Sequence, residues 1–140
     1  MKLRRYLGLG SRHFGILCRA LIVVISVRLI LTFVKYRKIS QWITLHSPRG
    51  DKSQSPYVVA WAVKHSSRLV PFASCLTQAL ALQFMLARRG HSSAIRVGVK
   101  NDDTSSFRAH AWVIWEDVVL IGGTQEDISS YTPMVDLRPS

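Results

Sequence analysis

The chain has 140 residues, 48% of them hydrophobic, with 19 Lys and Arg against 8 Asp and Glu and a formal charge of +11. That length suits one domain around one core and leaves no room for a separate cofactor module, while the apolar content excludes intrinsic disorder. Two cysteines cannot make a disulfide scaffold and no Cys/His pairs stand at zinc-ligand spacing, so no staples, structural metal or cofactor are expected, and the expected compartment is reducing.

The charge is unevenly placed. Residues 1–52 hold eleven basic side chains and a single acid, Asp51, for a net +10, which leaves +1 for the other 88 residues. A front part this basic is suited to something anionic: a membrane surface, a nucleic acid or an acidic partner, with a plain solvated face as the alternative. Phe14 to Val34 is apolar apart from Arg19, Ser26, Arg28 and Thr32, and has the length of a membrane span. Two arginines inside a span would cost roughly 2.5–3.5 kcal/mol each near its centre. Nine residues apart, they lie on opposite sides of a helix and share no polar stripe. No small-residue cleavage site follows the run, and the next segment, Lys35-Tyr36-Arg37-Lys38, is basic, so a signal peptide fits poorly. The preferred reading is a long helix, buried or facing a partner, with snorkelling arginines; peripheral membrane contact is the second. Nucleic-acid binding is not expected, because the basic residues are scattered among Leu, Ile and Val and form no binding motif.

Ser47 to Pro56 is rich in Pro, Gly, Ser and charge and reads as a linker. It divides the chain into a basic apolar helical region, 1–50, and a core, 51–140. In the core, Tyr57 to Leu69 is predicted helical and Pro71 ends it. Ser74 to Arg89 is the most regular helix, with Ser74 as N-cap, Leu76, Ala79, Leu80, Leu82, Phe84, Met85 and Leu86 as its apolar residues, and Gly90 as its stop. The period then changes to two. Ala94–Lys100, Phe107–Trp115 and Val118–Gly122 are predicted strands, the last two joined by a tight turn at Glu116-Asp117. Residues 124–140 read as irregular, because Pro133 and Pro139 oppose regular structure. Helices followed by a three-strand antiparallel meander make an α+β arrangement.

Cys75 stands at the first position of the best helix, just after its cap. A helix N-terminus gathers unpaired N–H groups and about half a positive charge, which favours a thiolate over a thiol. His110 lies in mid-strand between two alanines. A helix-start cysteine followed by a strand-borne histidine is the arrangement by which papain-like and transglutaminase-like enzymes join thiolate to imidazole. The backbone N–H of Cys75 is the first candidate oxyanion donor. Trp112 shares a strand face with His110 and is read either as a wall of a substrate groove or as a core aromatic. Cys18 is expected to be a core thiol, and His13, His46, His65 and His91 to be surface residues.

Together, Ser74-Cys75-Leu76, Arg88-Arg89-Gly90, Val97-Gly98-Val99 and Ala109-His110-Ala111-Trp112-Val113, in that order, resemble the leader peptidases of lasso-peptide biosynthesis, over roughly Pro56 to Pro133. The resemblance implies a transglutaminase-like fold, with the nucleophile at a helix N-terminus on a small antiparallel sheet. It also implies proteolysis of a ribosomally made precursor peptide, whose freed core an ATP-dependent lasso cyclase then closes into a ring. A small separate protein would recognise the leader, since this chain's apolar, helical front half does not look like that β-rich module. Members commonly carry an Asp after the histidine strand, where this chain reads Val119-Leu120-Ile121-Gly122-Gly123. Asp117 would lie about 20 Å from His110 along the hairpin. Thr124, Gln125, Glu126 and Asp127 follow the third strand, and Glu126 and Asp127 are the acids that could steady an imidazolium; a backbone carbonyl, or no third group, stays open. Two rival readings are acyl transfer to an amine through the same thioester, and a non-catalytic basic adaptor that binds peptide or membrane.

Overall fold

In the computed structural model, residues 2–45, 54–101, 107–123 and 128–137 are described. Four helices, α1 (Lys2–Phe33), α2 (Tyr36–Leu45), α3 (Pro56–Ser67) and α4 (Cys75–Arg88), precede four strands, β1 (Ala94–Asn101), β2 (Phe107–Trp115), β3 (Val118–Ile121) and β4 (Thr132–Leu137). The predicted linker lies largely outside the described residues. At its end Ser55 caps α3 in an extended conformation and Pro56 takes the first helical turn, where its missing N–H costs nothing.

Helix α4 is the centre of the core. Ala79, Leu80, Ala81, Leu82 and Leu86 are fully buried, and Thr77, Gln83 and Met85 nearly so. A helix enclosed on almost every side needs no polar stripe, and its sequence has none. Each buried Leu contributes about 1.5–3 kcal/mol. Helices α1 and α3 pack on it and on each other, and Ser66 Oγ donates to the Leu17 carbonyl of α1 at 3.1 Å. Ile16, Ala20, Val24 and Val27 of α1, Val59 and Val63 of α3, and Ile95, Ala111, Val113 and Ile121 of the sheet join α4 in one hydrophobic cluster.

The sheet is antiparallel with order β3-β2-β1-β4. The hairpin β2-β3 turns through Glu116 (φ 46°) and Asp117 (φ 64°), two successive left-handed residues that match the strand twist. Strand β4 corrects the expectation that residues 124–140 are irregular. It pairs with the free edge of β1, and Pro133 sits opposite Gly98 where the register slips between Val97 and Gly98. An edge strand at a bulge is where a residue without an N–H is tolerated. Arg96 clasps the two strands through Asp136, with Nε to Oδ1 at 2.7 Å and Nη2 to Oδ2 at 3.0 Å. This hydrogen bond raises the Arg96 pKa above its ordinary value.

Further corrections concern single residues. Cys18 is exposed, not a core thiol, because α1 is apolar on two sides and only one of them is covered. Of the histidines read as surface residues, His46 lies outside the described residues and the other three are half-buried. His13 meets Trp61 edge-on at 5.7 Å, His65 Nδ1 hydrogen-bonds the Trp61 carbonyl at 2.9 Å, and His91 Nε2 bonds the Gln54 carbonyl at 3.0 Å.

Candidate active site

The position of Cys75 follows from its cap. Ser74 is extended (φ −73°, ψ 167°), its Oγ accepts the N–H of Thr77 at 3.2 Å, and its carbonyl accepts the N–H of Gln78 at 3.1 Å. Ser74 itself is exposed, but Thr77 is 1% exposed, so the inner end of this bond is held in the core and fixes where α4 begins. Cys75, half-buried, is thereby the first helical residue, and its N–H belongs to the helix-start donors that have no partner within the helix.

His110 comes to the same place from the sheet. Strand alternation sends Ala111 and Val113 into the helical core, and His110 and Trp112 to the other face. Just beyond the end of β3 at Ile121, a small cleft of about 120 Å³ is lined by Cys75 and Gln78 of α4, His110 and Ala111 of β2, and Ile121 and Gly122. The structure thus brings the two sequence-predicted residues into one cleft.

His110 Nε2 hydrogen-bonds the Gly122 carbonyl. A carbonyl only accepts, so Nε2 carries a proton, and in the neutral imidazole the lone pair is then on Nδ1. Gly122 holds this oxygen in place through its own backbone. Its φ is +110°, and a Cβ there would come within 2.8 Å of Trp112 Cα and 3.0 Å of the Ala111 carbonyl. No side chain fits without displacing the chain. The imidazole is also flanked by rings, with Trp112 at 6.0 Å in a stacked orientation and Tyr131 at 5.4 Å.

Trp112 does not wall a groove. It is 2% exposed and absent from the cleft lining, lying beneath His110 and Tyr131. Gly98 makes room for it, since a Cβ there would stand 2.7 Å from Trp112 Cη2. Glu126 and Asp127, with Thr124 and Gln125, lie outside the described residues, and Asp117 sits in the exposed hairpin turn. Three members of the site have no place in the sequence reading. Gln78 could have been found, since it stands three residues after Cys75 on the same helix face. Gly122 acts through its backbone, and Tyr131 precedes a strand that its proline conceals. Among the described residues, no group of three or more His, Cys, Asp or Glu could hold a metal ion.

A half-buried cysteine at a helix start, sharing a cleft with a strand histidine of fixed tautomer, on an α+β scaffold of this order, defines a class of cysteine-dependent hydrolases and transferases. Comparison with known families agrees: residues 21–136 match the transglutaminase-like superfamily, and the chain belongs to it. No curated protein and no solved structure matches the chain.

Proposed function

We propose that this chain is a cysteine peptidase that removes the leader from a ribosomally made lasso-peptide precursor in the cytoplasm. The observation that carries the chemistry is the single cleft shared by Cys75 and His110, with Nε2 of the imidazole engaged by the Gly122 carbonyl. The motifs around Cys75, Gly90, Gly98 and His110 carry the substrate class.

Nδ1 of His110 takes the thiol proton as Cys75 Sγ attacks the scissile carbonyl carbon. The resulting oxyanion is received by the Cys75 backbone N–H and by the Gln78 side-chain amide, both at the cleft. When the C–N bond breaks, the imidazolium returns its proton to the departing amine. Water activated by the same Nδ1 then cleaves the thioester. Throughout the cycle Nε2 keeps its proton on the Gly122 carbonyl, so the ring is oriented by a main-chain oxygen. At about 120 Å³ the cleft holds the reacting atoms and little more. Leader recognition is therefore assigned to a separate small protein, and ring closure to the ATP-dependent cyclase.

The test is mass spectrometry of the neighbouring precursor peptide, incubated with the purified chain with and without its small leader-binding partner. The expected result is one cut at the leader boundary that adds one water, depends on the partner, and disappears in Cys75→Ala and His110→Ala. A product carrying an added amine in place of water would make the enzyme an acyl transferase. Uncut precursor with folded protein, or a cut that persists in Cys75→Ala, would overturn the proposal.

A further inference from the structure

Helix α1 carries two apolar faces. At about 100° per residue, Ile16, Ala20, Val24 and Val27 make one stripe, and Phe14, Cys18, Ile22, Ile25, Leu29 and Phe33 make another on the opposite side. The first is in the core, with Ala20 and Val24 fully buried. The second faces outward: Phe14 is 66% exposed, Ile22 64%, Leu29 58% and Phe33 86%. Solubility alone calls for polar residues at such positions.

The charges are arranged around this outward stripe. On the helical wheel, Arg19 and Arg28 lie about 90° to either side of its centre. Nine residues apart, they look incompatible with a surface helix if a single polar stripe is sought; they fit one whose apolar side faces away from the core and whose two flanks each carry a cation. Beside the Arg19 flank, a cleft of about 630 Å³ opens between α1 and α4, and Arg19, Arg88 and Arg89 line it together with Ile22 and Phe84. No carboxylate lines it among the described residues. Burial, then Arg19 and Arg88, lower the Arg89 pKa from its ordinary value, so an anion here would relieve a mutual repulsion. Ile22 belongs both to the lip of this cleft and to the outward stripe.

We propose that α1 docks this protein on an anionic phospholipid surface, lying in the plane of the interface. Its outward stripe enters the acyl boundary, and the Arg19, Arg88 and Arg89 cleft receives a lipid phosphate. The stretch His13–Phe33 is long and apolar enough to span a bilayer. Spanning, however, would strip Ala20 and Val24 from the core and break the Ser66 to Leu17 bond, whereas in-plane docking leaves the domain intact. The basic front half, +10 over 52 residues, adds attraction to anionic lipid. The inference does not rest on the reaction at Cys75.

Cys18, exposed within the stripe, provides the probe. The full chain carrying Cys75→Ser is labelled at Cys18 with an environment-sensitive fluorophore and mixed with vesicles of phosphatidylcholine, alone or with one-third phosphatidylglycerol. A blue shift with the anionic vesicles is expected, at least tenfold weaker with the neutral ones and reduced by salt. Leu29→Asp should reduce partitioning about tenfold or more, and Arg19→Gln with Arg88→Gln about tenfold together, with circular dichroism unchanged. No shift with anionic vesicles from the folded protein would overturn the proposal. So would binding that Leu29→Asp leaves intact, or a shift produced by an acidic polypeptide such as polyglutamate and not by vesicles, which would make the face a protein-binding surface.

Discussion

Helices α1 and α4 both carry more apolar surface than one core-facing stripe, and they do so for different reasons. Helix α4 is enclosed by α1, α3 and the sheet, so its apolar side chains are accounted for by the core; Gln83 is buried within it, Arg88 stands in its last turn, and its first turn faces the Cys75 cleft. Helix α1 is enclosed on one side; its opposite side leaves Phe14, Ile22, Leu29 and Phe33 largely exposed. Hydropathy alone does not distinguish the two. What distinguishes them is how much of the apolar surface the domain itself uses, and the remainder on α1 is available for an external surface.

This contrast can be broken by matched substitutions. Cys75→Ala, at the start of α4, should abolish peptide cleavage, a loss of about 10⁴-fold or more in kcat, with the melting temperature unchanged. Leu29→Asp on α1 should leave cleavage of a soluble peptide as it was. If the α1 variant also lost that cleavage, the division between a catalytic helix and a surface-facing one would be wrong. Next in size, Gln78→Leu should lower kcat by about 10²-fold with little change in KM, as expected for an oxyanion donor; an unchanged kcat in steady-state assays would remove Gln78 from the site. For stability, Leu80→Ala, fully buried in α4, should cost about 2–5 kcal/mol, whereas Leu29→Ala, 58% exposed, should fall within about 0.5 kcal/mol in urea titrations. Equal costs would mean that the outward stripe is covered within the fold. Gly122→Ala should lower kcat about tenfold or more by moving the carbonyl that orients His110, an effect to be read beside the melting curve. A small effect is also expected at Arg96→Ala, about 0.5–1 kcal/mol in urea titrations, because both members of its ion pair are about one-third exposed.

The legible parts of this molecule are those whose causes are local. Ser74, Cys75 and Gly90 mark the ends of α4 because capping is written within a few residues. Strict alternation in Ile95-Arg96-Val97 and in the β2 run reveals strands for the same reason. The α+β class follows from that order of elements, while the transglutaminase-like family is implied by the resemblance of the motifs around Cys75 and His110 and shown by the family match. Hidden features depend on partners distant in sequence. Strand β4 exists because β1 has a free edge, and Pro133 disguises it. The exposure of Cys18 depends on which side of α1 the core takes, and two apolar sides look alike in a sequence. The partner of His110 is a main-chain oxygen, and no residue type encodes one.

The arrangement of β4 also ties a sheet edge to the candidate site. The imidazole of His110 packs on Tyr131, and Tyr131 leads into the strand that zips onto β1, more than thirty residues earlier in the chain. Among the described residues, strand β4 adds no side chain to the cleft, yet Tyr131 reaches the imidazole because β4 closes the open edge of β1. Fraying of this last strand would therefore be felt first at the His110 ring, by loss of one of its two aromatic neighbours, and only indirectly at Cys75.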